Sequence, residues 1–330
     1  MSGEADVLVE VRNLQKFFPL RRGFRRAGAG WIRAVDDISF DIRNGETLGL
    51  VGESGCGKST LARCVVRLLE PTSGNLTFAG QDVTHLGMHR LRPLRRQMQL
   101  VFQDPTASLN PRKPVGRIIE EGLRIHRIGS AAERAGRVRD MLARVGLSPE
   151  YATRLPRDLS GGQRQRIGIA RALVLGPKLI VADEPVSALD VSVQAGILNL
   201  FKDLQQEFQI TYLFISHDFG VIRQVSDRVG VMYFGKLVEL ASAPSFYVRP
   251  LHPYSEALLA SIPSADPDRR RDRGKVIEGE VPSATKPPAG CRFHPRCAHA
   301  EADCRREAPP LRALSPGHFV ACHHPRNVTR

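Results

Sequence analysis

Between Thr47 and Leu69 the chain reads as a strand, a glycine-rich loop and a helix in immediate succession. Thr47–Val51 is a short apolar strand. It runs straight into Gly52-Glu53-Ser54-Gly55-Cys56-Gly57-Lys58-Ser59, with Thr60 next, and helical spacing continues from Lys58 until Pro71. The loop matches G-x-x-x-x-G-K-S, and a strand before it with a helix after it is the context that makes this pattern a phosphate-binding loop. Its glycines let backbone N–H groups approach an anion, and the helix N-terminus adds a favourable dipole. Lys58 is placed to reach the β- and γ-phosphates, and Ser59 to bind Mg²⁺. By itself the loop specifies only a nucleoside triphosphate.

The rest of the chain must supply a fold around that unit. Val7–Val11 and Ile38–Ile42 read as strands, the second alternating with period two, and Asn44-Gly45 marks a hairpin turn. Leu76–Phe78 and Met98–Phe102 are further strand candidates. From Asp104 to Leu159 the pattern changes to helices broken by Pro and Gly, with runs at 115–125 and 131–145. After Ser160 comes a helix to Leu175. Strands at 179–182, 211–215 and 229–233 then alternate with helices at 191–208 and 219–226. That alternation predicts a mostly parallel sheet covered on both faces. Near Pro244 the character shifts: Pro250, Pro253, Pro263 and Pro267 lead to the basic run Arg269–Arg273, which reads as a linker or extended arm.

Composition excludes some classes. No apolar run approaches the roughly 18–20 residues that span a bilayer. The first residues lack the basic and apolar regions of a signal peptide, so a cytosolic location is expected. The net charge of +14 points to nucleic acid, to the anionic inner face of a membrane, or to an Arg-rich solvated surface. Aromatics make up only 6% and do not interleave with basic residues in a nucleic-acid motif, so the solvated surface is favoured for most of these charges.

Further motifs fall around the phosphate loop. Leu159-Ser160-Gly161-Gly162-Gln163 is a second glycine-rich turn opening a helix, and so a second anion-binding device. Leu179–Ala182 ends in Asp183-Glu184: one carboxylate is suited to Mg²⁺ and the other to polarising an attacking water, and we assign Asp183 and Glu184 in that order. Gln103 follows a strand and is placed to sense Mg²⁺ or that water. His217 in Ser216-His217-Asp218 is placed to bond the γ-phosphate and the catalytic acid. Asp190 in Ser187–Asp190 starts a helix just after Glu184, where a simple cap is the bland alternative.

Taken in order, the phosphate loop, Gln103, Leu159–Gln163, Asp183-Glu184, Ser187–Asp190 and His217 resemble the ATP-binding cassette (ABC) ATPases, over roughly the first 240 residues. The resemblance implies an α/β fold with a mostly parallel core sheet, an antiparallel β-subdomain and a helical subdomain at about 104–165. It also implies a head-to-tail dimer with ATP held between one subunit's phosphate loop and the other's Leu159–Gln163 turn. Ser160 and Gly162 would contact the partner's γ-phosphate, and Asp190 would link the two sites. Phe18 is the candidate for stacking on adenine, with Phe17 the alternative.

A narrower resemblance covers nearly the whole chain. Val101–Pro111, His252-Pro253-Tyr254, Gly279–Ser283 and Pro287–Cys297 resemble the ATP-binding subunits of bacterial oligopeptide/dipeptide importers, some of whose relatives carry nickel or other solutes. It implies a peripheral protein at the cytoplasmic face of the membrane. The expected partners are a second, different ATP-binding subunit, two transmembrane permease subunits and, indirectly, an extracytoplasmic solute-binding protein, with no nucleic acid. The ABC domain would span 1–245 and the importer-type extension 246–330. A soluble ABC ATPase acting on nucleic acid and a metal-sensing regulator on a dead ATPase are the competing readings; intact Lys58, Glu184 and His217 argue against the second.

Cys291, Cys297, Cys304 and Cys322 cluster near the C-terminal end. In a cytosolic chain that suggests metal rather than disulfide. Their spacings are looser than those of paired C-x-x-C zinc knuckles and the importer resemblance includes iron–sulfur members, so the resemblance implies a [4Fe–4S] cluster first, with Zn²⁺ second and free thiols third. His294, His299, His323 and His324 are possible substitutes as ligands. Cys56 and Cys64 receive no metal role.

Overall fold

A computed structural model describes residues 6–20, 30–262, 285 and 287–328. The stretch 21–29, which holds most of the basic Arg21–Gly30 loop, the Arg269–Arg273 run and the Gly279–Ser283 motif lie outside the described residues. Among the described residues the strands form two sheets. The smaller is antiparallel, in the order β2-β1-β4-β5, from β1 (Val7–Pro19), β2 (Trp31–Arg43), β4 (Ser73–Phe78) and β5 (Gln81–Asp82). The larger has β3 (Thr47–Val51), β6 (Met98–Val101), β7 (Leu179–Asp183), β8 (Thr211–Ile215) and β9 (Arg228–Tyr233) in parallel. Three antiparallel strands complete it at one edge: β10 (Lys236–Ser242), β12 (His318–Val320) and β11 (Arg312–Ser315).

The parallel strands bury both faces, and their sequence shows how. Leu179 and Val181 share one apolar cluster with Leu213 and Ile215. Ile180 and Ala182, pointing the other way, share a second with Tyr212 and Phe214. The first cluster is closed by α1 (Lys58–Val65) and the antiparallel sheet, through Leu61, Val65, Val11 and Ile42. The second is closed by α4 (Val115–Ile125), α5 (Ala131–Arg144), α6 (Gly161–Leu173) and α7 (Val191–Phe208). On that face Phe201 of α7 meets the rings of Tyr212 and Phe214 edge-on, at 5.5 and 5.3 Å.

The expected central elements are present, with shifts at their ends. The helix after the phosphate loop stops at Val65 rather than running to Leu69. Arg67 adopts a left-handed φ of 54°, and the amides of Leu68 and Leu69 turn back to Arg63 O, which closes the helix C-terminus. α2 (Met88–Gln97) gave no apolar period, because only Leu91 on it is buried and Pro93 lies inside it. α3 (Pro105–Ser108) and α8 (Phe219–Val225) complete the helices of the first part.

After β10 the chain carries α9 (Ala243–Val248), α10 (Pro253–Ala260) and α11 (Ala302–Arg306) before β11 and β12. The cysteine-bearing tail, which shows little periodicity in sequence, therefore joins the main sheet: Glu239 and Leu240 pair with Val320 and Phe319.

A buried ionisable group holds that junction. Glu239 has no exposed surface, and its carboxylate accepts the backbone N–H groups of Leu251 at 2.7 Å and His252 at 2.9 Å. His318 Nε2 donates to the same carboxylate at 2.7 Å, and Ser245 Oγ lies 3.1 Å from His318 Nδ1. Breaking such a buried network by removing one member costs about 3–5 kcal/mol. Glu239→Ala is therefore expected to lose about that much stability in urea unfolding and to expose 287–328 to limited proteolysis. Glu239→Gln, which keeps an acceptor, is expected to lose less.

Candidate active site

The phosphate loop leaves β3 at Val51 and enters α1 at Lys58. Two glycines are required by close backbone approach. Gly57, at φ 107°, caps α1, and a Cβ there would sit 2.0 Å from Ala34 O. A Cβ on Gly52 would sit 2.1 Å from Met232 O. Lys58 is buried, and its ammonium donates to Gly52 O at 2.7 Å and Glu53 O at 3.0 Å. Ser59 Oγ donates to Asp183 Oδ1 at 2.9 Å, which joins the first turn of α1 to the end of β7. Burial pushes the Asp183 carboxyl above its usual range; the Ser59 hydrogen bond opposes this and the neighbouring Glu184 charge adds to it. A buried carboxylate beside a hydroxyl suits a hard divalent cation, so these residues fit Mg²⁺.

Gln103, Glu184 and His217 come from the carboxyl ends of three neighbouring strands, β6, β7 and β8. They converge on one atom. Gln103 Nε2 donates to Glu184 Oε2 at 3.0 Å, and His217 Nδ1 lies 3.2 Å from the same oxygen. Glu184 has a left-handed φ of 49°, unusual for a residue with a side chain. Its own N–H still bonds Ile215 O at 2.9 Å, so the bend occurs as the strand ends. A cavity of about 440 Å³ is lined by Ala34, by Ser54, Gly55, Gly57, Lys58, Ser59 and Thr60 of the loop, and by Gln103, Glu184 and His217.

The other sequence candidates sit around this cavity. Gly52 ends the strand, and Glu53 points its carboxylate to Arg296 at 2.8 Å. Cys56 is buried, and that burial raises its thiol pKa. Phe18 pairs with Ile32 across the β1–β2 ladder and carries the Lys16 ammonium 5.2 Å from its ring centre, while Arg33 stacks over Phe17. Ser160 caps α6 with a reciprocal box: its hydroxyl accepts from Gln163 N, and Gln163 Oε1 accepts from Ser160 N. Leu159 is buried beneath the turn, and Cβ atoms on Gly161 and Gly162 would face Leu189 at 3.4 Å and Val193 at 2.5 Å. Asp190 stands at the N-cap of α7, exposed and without a side-chain cap hydrogen bond.

The four tail cysteines line one small cavity together with His252, Phe293, His294, His299, His323 and His324. Burial raises the Cys291, Cys297, Cys304 and Cys322 thiols, Cys322 to about 12. The one group of three or more ligand atoms within 4.8 Å of one another among the described residues is Asp303, Cys304 and His324.

Sequence reading missed Ala34, Tyr254 and Arg296 near the loop. Tyr254 Oη accepts the Glu53 N–H at 3.0 Å. No local pattern marks such contacts across some 200 residues. Arg296 lies within the Pro287–Cys297 stretch that carries the importer resemblance, which assigns it no role at the loop.

A family model described as "ABC transporter" matches residues 35–187, and one described as "Oligopeptide/dipeptide transporter, C-terminal region" matches 238–304. The chain is 52% identical over 323 residues to the oligopeptide transport ATP-binding protein AppF of Bacillus subtilis, covering 96% of this chain and 97% of that one. It is also 52% identical to a probable peptide ABC transporter ATP-binding protein of Sinorhizobium fredii, covering 97% of this chain and 90% of that one. Among solved structures, the dimeric post-hydrolysis state of the ATP-binding cassette MJ0796 bound to ADP and Pi matches with a TM-score of 0.64 and 30% identity, over 72% of this chain and 99% of that one. A phosphate loop, a strand-end acid pair and their Gln and His neighbours around one cavity are what such a cassette needs. With both family models matched, the chain belongs to the ABC-transporter ATP-binding proteins of the oligopeptide/dipeptide type.

Proposed function

We propose that this ATPase powers the uptake of peptides through a membrane permease, from the cytoplasmic face of the membrane. The observation that carries the catalytic half is the convergence of Gln103 and His217 on Glu184 Oε2 above the Lys58–Ser59 loop. The transport half rests on similarity to peptide-transport relatives over 96% and 97% of the chain. No helix of the described residues is long and apolar enough to cross a membrane.

In this reading Lys58 and the loop amides hold the β- and γ-phosphates. Ser59, Asp183 and Gln103 would hold Mg²⁺, which when bound would supply charge neutralisation at the phosphates. Glu184 orients and deprotonates the attacking water. His217, within 3.2 Å of Glu184, steadies that carboxylate and reaches toward the γ-phosphate. The Leu159–Gln163 turn completes the site of a second ATP-binding subunit, a different chain in the complex, and Asp190 lies between the two sites. Phe18 stacks on adenine. Two permease subunits complete the complex, and a solute-binding protein outside the membrane delivers the peptide.

The tail cysteines hold a [4Fe–4S] cluster in this proposal. All four thiols line one cavity, and ligation by metal would offset the cost that burial places on their thiolate forms. Tetrahedral Zn²⁺ at about 2.3 Å would draw four sulfurs to about 3.8 Å apart. Among the described residues, the group of three ligand atoms within 4.8 Å of one another, Asp303, Cys304 and His324, contains a single thiol.

Three outcomes are expected. Glu184→Gln lowers ATP turnover by about 10²-fold or more and accumulates an ATP-bound dimer on size exclusion; unchanged hydrolysis removes Glu184 as the base. Deleting this subunit in a strain with the intact permease abolishes uptake of radiolabelled di- or oligopeptide, and loss of nickel uptake alone would reassign the cargo. Anaerobically purified protein carries about four iron and four sulfide per chain with visible charge-transfer absorbance. Stoichiometric zinc instead would select the zinc site, and neither metal would leave free thiols.

A further inference from the structure

The segment Cys291–Cys297 faces two ways. Its end cysteines line the small thiol cavity, while Arg292 and Arg296 point toward the ATP side. Arg296 is 7% exposed, and its guanidinium donates to Glu53 Oε2 at 2.8 Å and to Tyr233 Oη at 3.5 Å. Glu53 occupies one of the unspecified positions of the phosphate-loop pattern, yet each of its polar groups has a partner. Its N–H donates to Tyr254 Oη at 3.0 Å, its carbonyl accepts from Lys58 Nζ at 3.0 Å, and its carboxylate takes Arg296. Two of those three partners come from beyond β10, and the third is the lysine that holds phosphate.

The supports of Arg296 are rigid. Tyr233, Tyr254 and Phe293 form an aromatic block with ring centres 4.7 Å (Tyr233–Tyr254), 5.2 Å (Tyr233–Phe293) and 5.2 Å (Tyr254–Phe293) apart. Arg292 donates to the Asp36 carboxylate and to Phe234 O, which fixes the turn between β9 and β10. From that turn Gly235 N–H donates to Cys56 O of the loop at 2.8 Å, and Gly235 O accepts from Asp36 N at 2.8 Å. Asp36 lies two residues along β2 from Ala34, whose carbonyl abuts Gly57. The tail thus contacts Glu53 of the phosphate loop on one side and Asp36, two residues from the cavity-lining Ala34, on the other.

We propose that Arg296 is a positioning residue for nucleotide binding: it holds the phosphate loop through Glu53 and thereby couples the tail to the ATP site. The proposal rests on the reading of Gly52–Thr60 as the ATP loop. Arg296 touches no reacting atom, so its loss acts on affinity more than on the chemical step. A bidentate-capable guanidinium is only partly replaced by an ammonium, so Arg296→Lys recovers part of what Arg296→Ala loses.

The test is equilibrium binding of a fluorescent ATP analogue with Mg²⁺ to the full chain. Circular dichroism and melting are recorded for every variant. Arg296→Ala is expected to weaken binding about fivefold or more, within the usual range of site-to-site coupling. Glu53→Ala is expected to do the same, and the double variant no more than either alone. In steady state the KM for ATP rises by a similar factor, while kcat changes less than KM does. Wild-type affinity in Arg296→Ala, or full additivity with Glu53→Ala, overturns the proposal. If Arg296→Ala does not fold, Arg296→Lys and Glu53→Gln decide, and unchanged affinity in both overturns it. Lys58→Ala separates the two failures: wild-type binding in that variant refutes the ATP-loop reading itself.

Discussion

Parallel strands buried on both faces have only their ends left for charge. In this protein Leu179, Val181, Leu213 and Ile215 enter one core while Ile180, Ala182, Tyr212 and Phe214 enter the other. No position of β7 before Asp183, and none of β8, can carry an ionised group without meeting apolar side chains. The polar residues therefore gather where the strands stop, and because β3, β6, β7 and β8 run parallel they stop at the same rim. Ser59 and Asp183 join across that rim, and Gln103, Glu184 and His217 meet on it. The active site follows from how the core is filled.

That logic explains which parts the sequence made legible. The phosphate loop, the Asp183-Glu184 pair and the helix–strand alternation are local patterns, and each appears where its pattern placed it. The geometry of Glu184 is different. Its left-handed φ and its two partners, Gln103 and His217, depend on strand order, which no local window contains. The same holds for Ala34, which crowds Gly57 because the antiparallel sheet is folded over the loop. The tail is the extreme case. β10 and β12 pair over some 80 residues, and their junction is held by Glu239 and His318, two polar residues that a sequence reading assigns to the surface.

The Leu159–Gln163 turn shows how the two halves of the proposed ATP chemistry are joined within one chain. Ser187 donates both its N–H and its hydroxyl to the Glu184 carbonyl, at 3.3 and 3.1 Å. Two residues on, Leu189 faces Gly161, and Val193 on α7 faces Gly162 closely enough that a side chain there would collide. A short stretch of chain from Glu184 to Val193 thus packs directly against the Leu159–Gln163 turn. The glycines of that turn have a reason within this chain as well as at the proposed interface, since α7 packs against them.

The tail is bound into this arrangement as tightly as the helices are. Its strand β12 extends the sheet that carries the phosphate loop, so the cysteine cavity and the ATP cavity are built on one set of strands rather than on two bodies joined by a linker. Position 53 is where the consequences concentrate. A residue that the loop pattern leaves unspecified is held by its N–H, its carbonyl and its carboxylate, and only the carbonyl contact with Lys58 is local. If the loop needed only to wrap a phosphate, a small solvated side chain at that position would do. A glutamate matched to a buried arginine, placed one residue from a cysteine of the thiol cavity, ties loop geometry to whatever that cavity holds. The tail then bears on the ATP site through a specific ion pair, and the four cysteines acquire a reason to lie beside an ATPase.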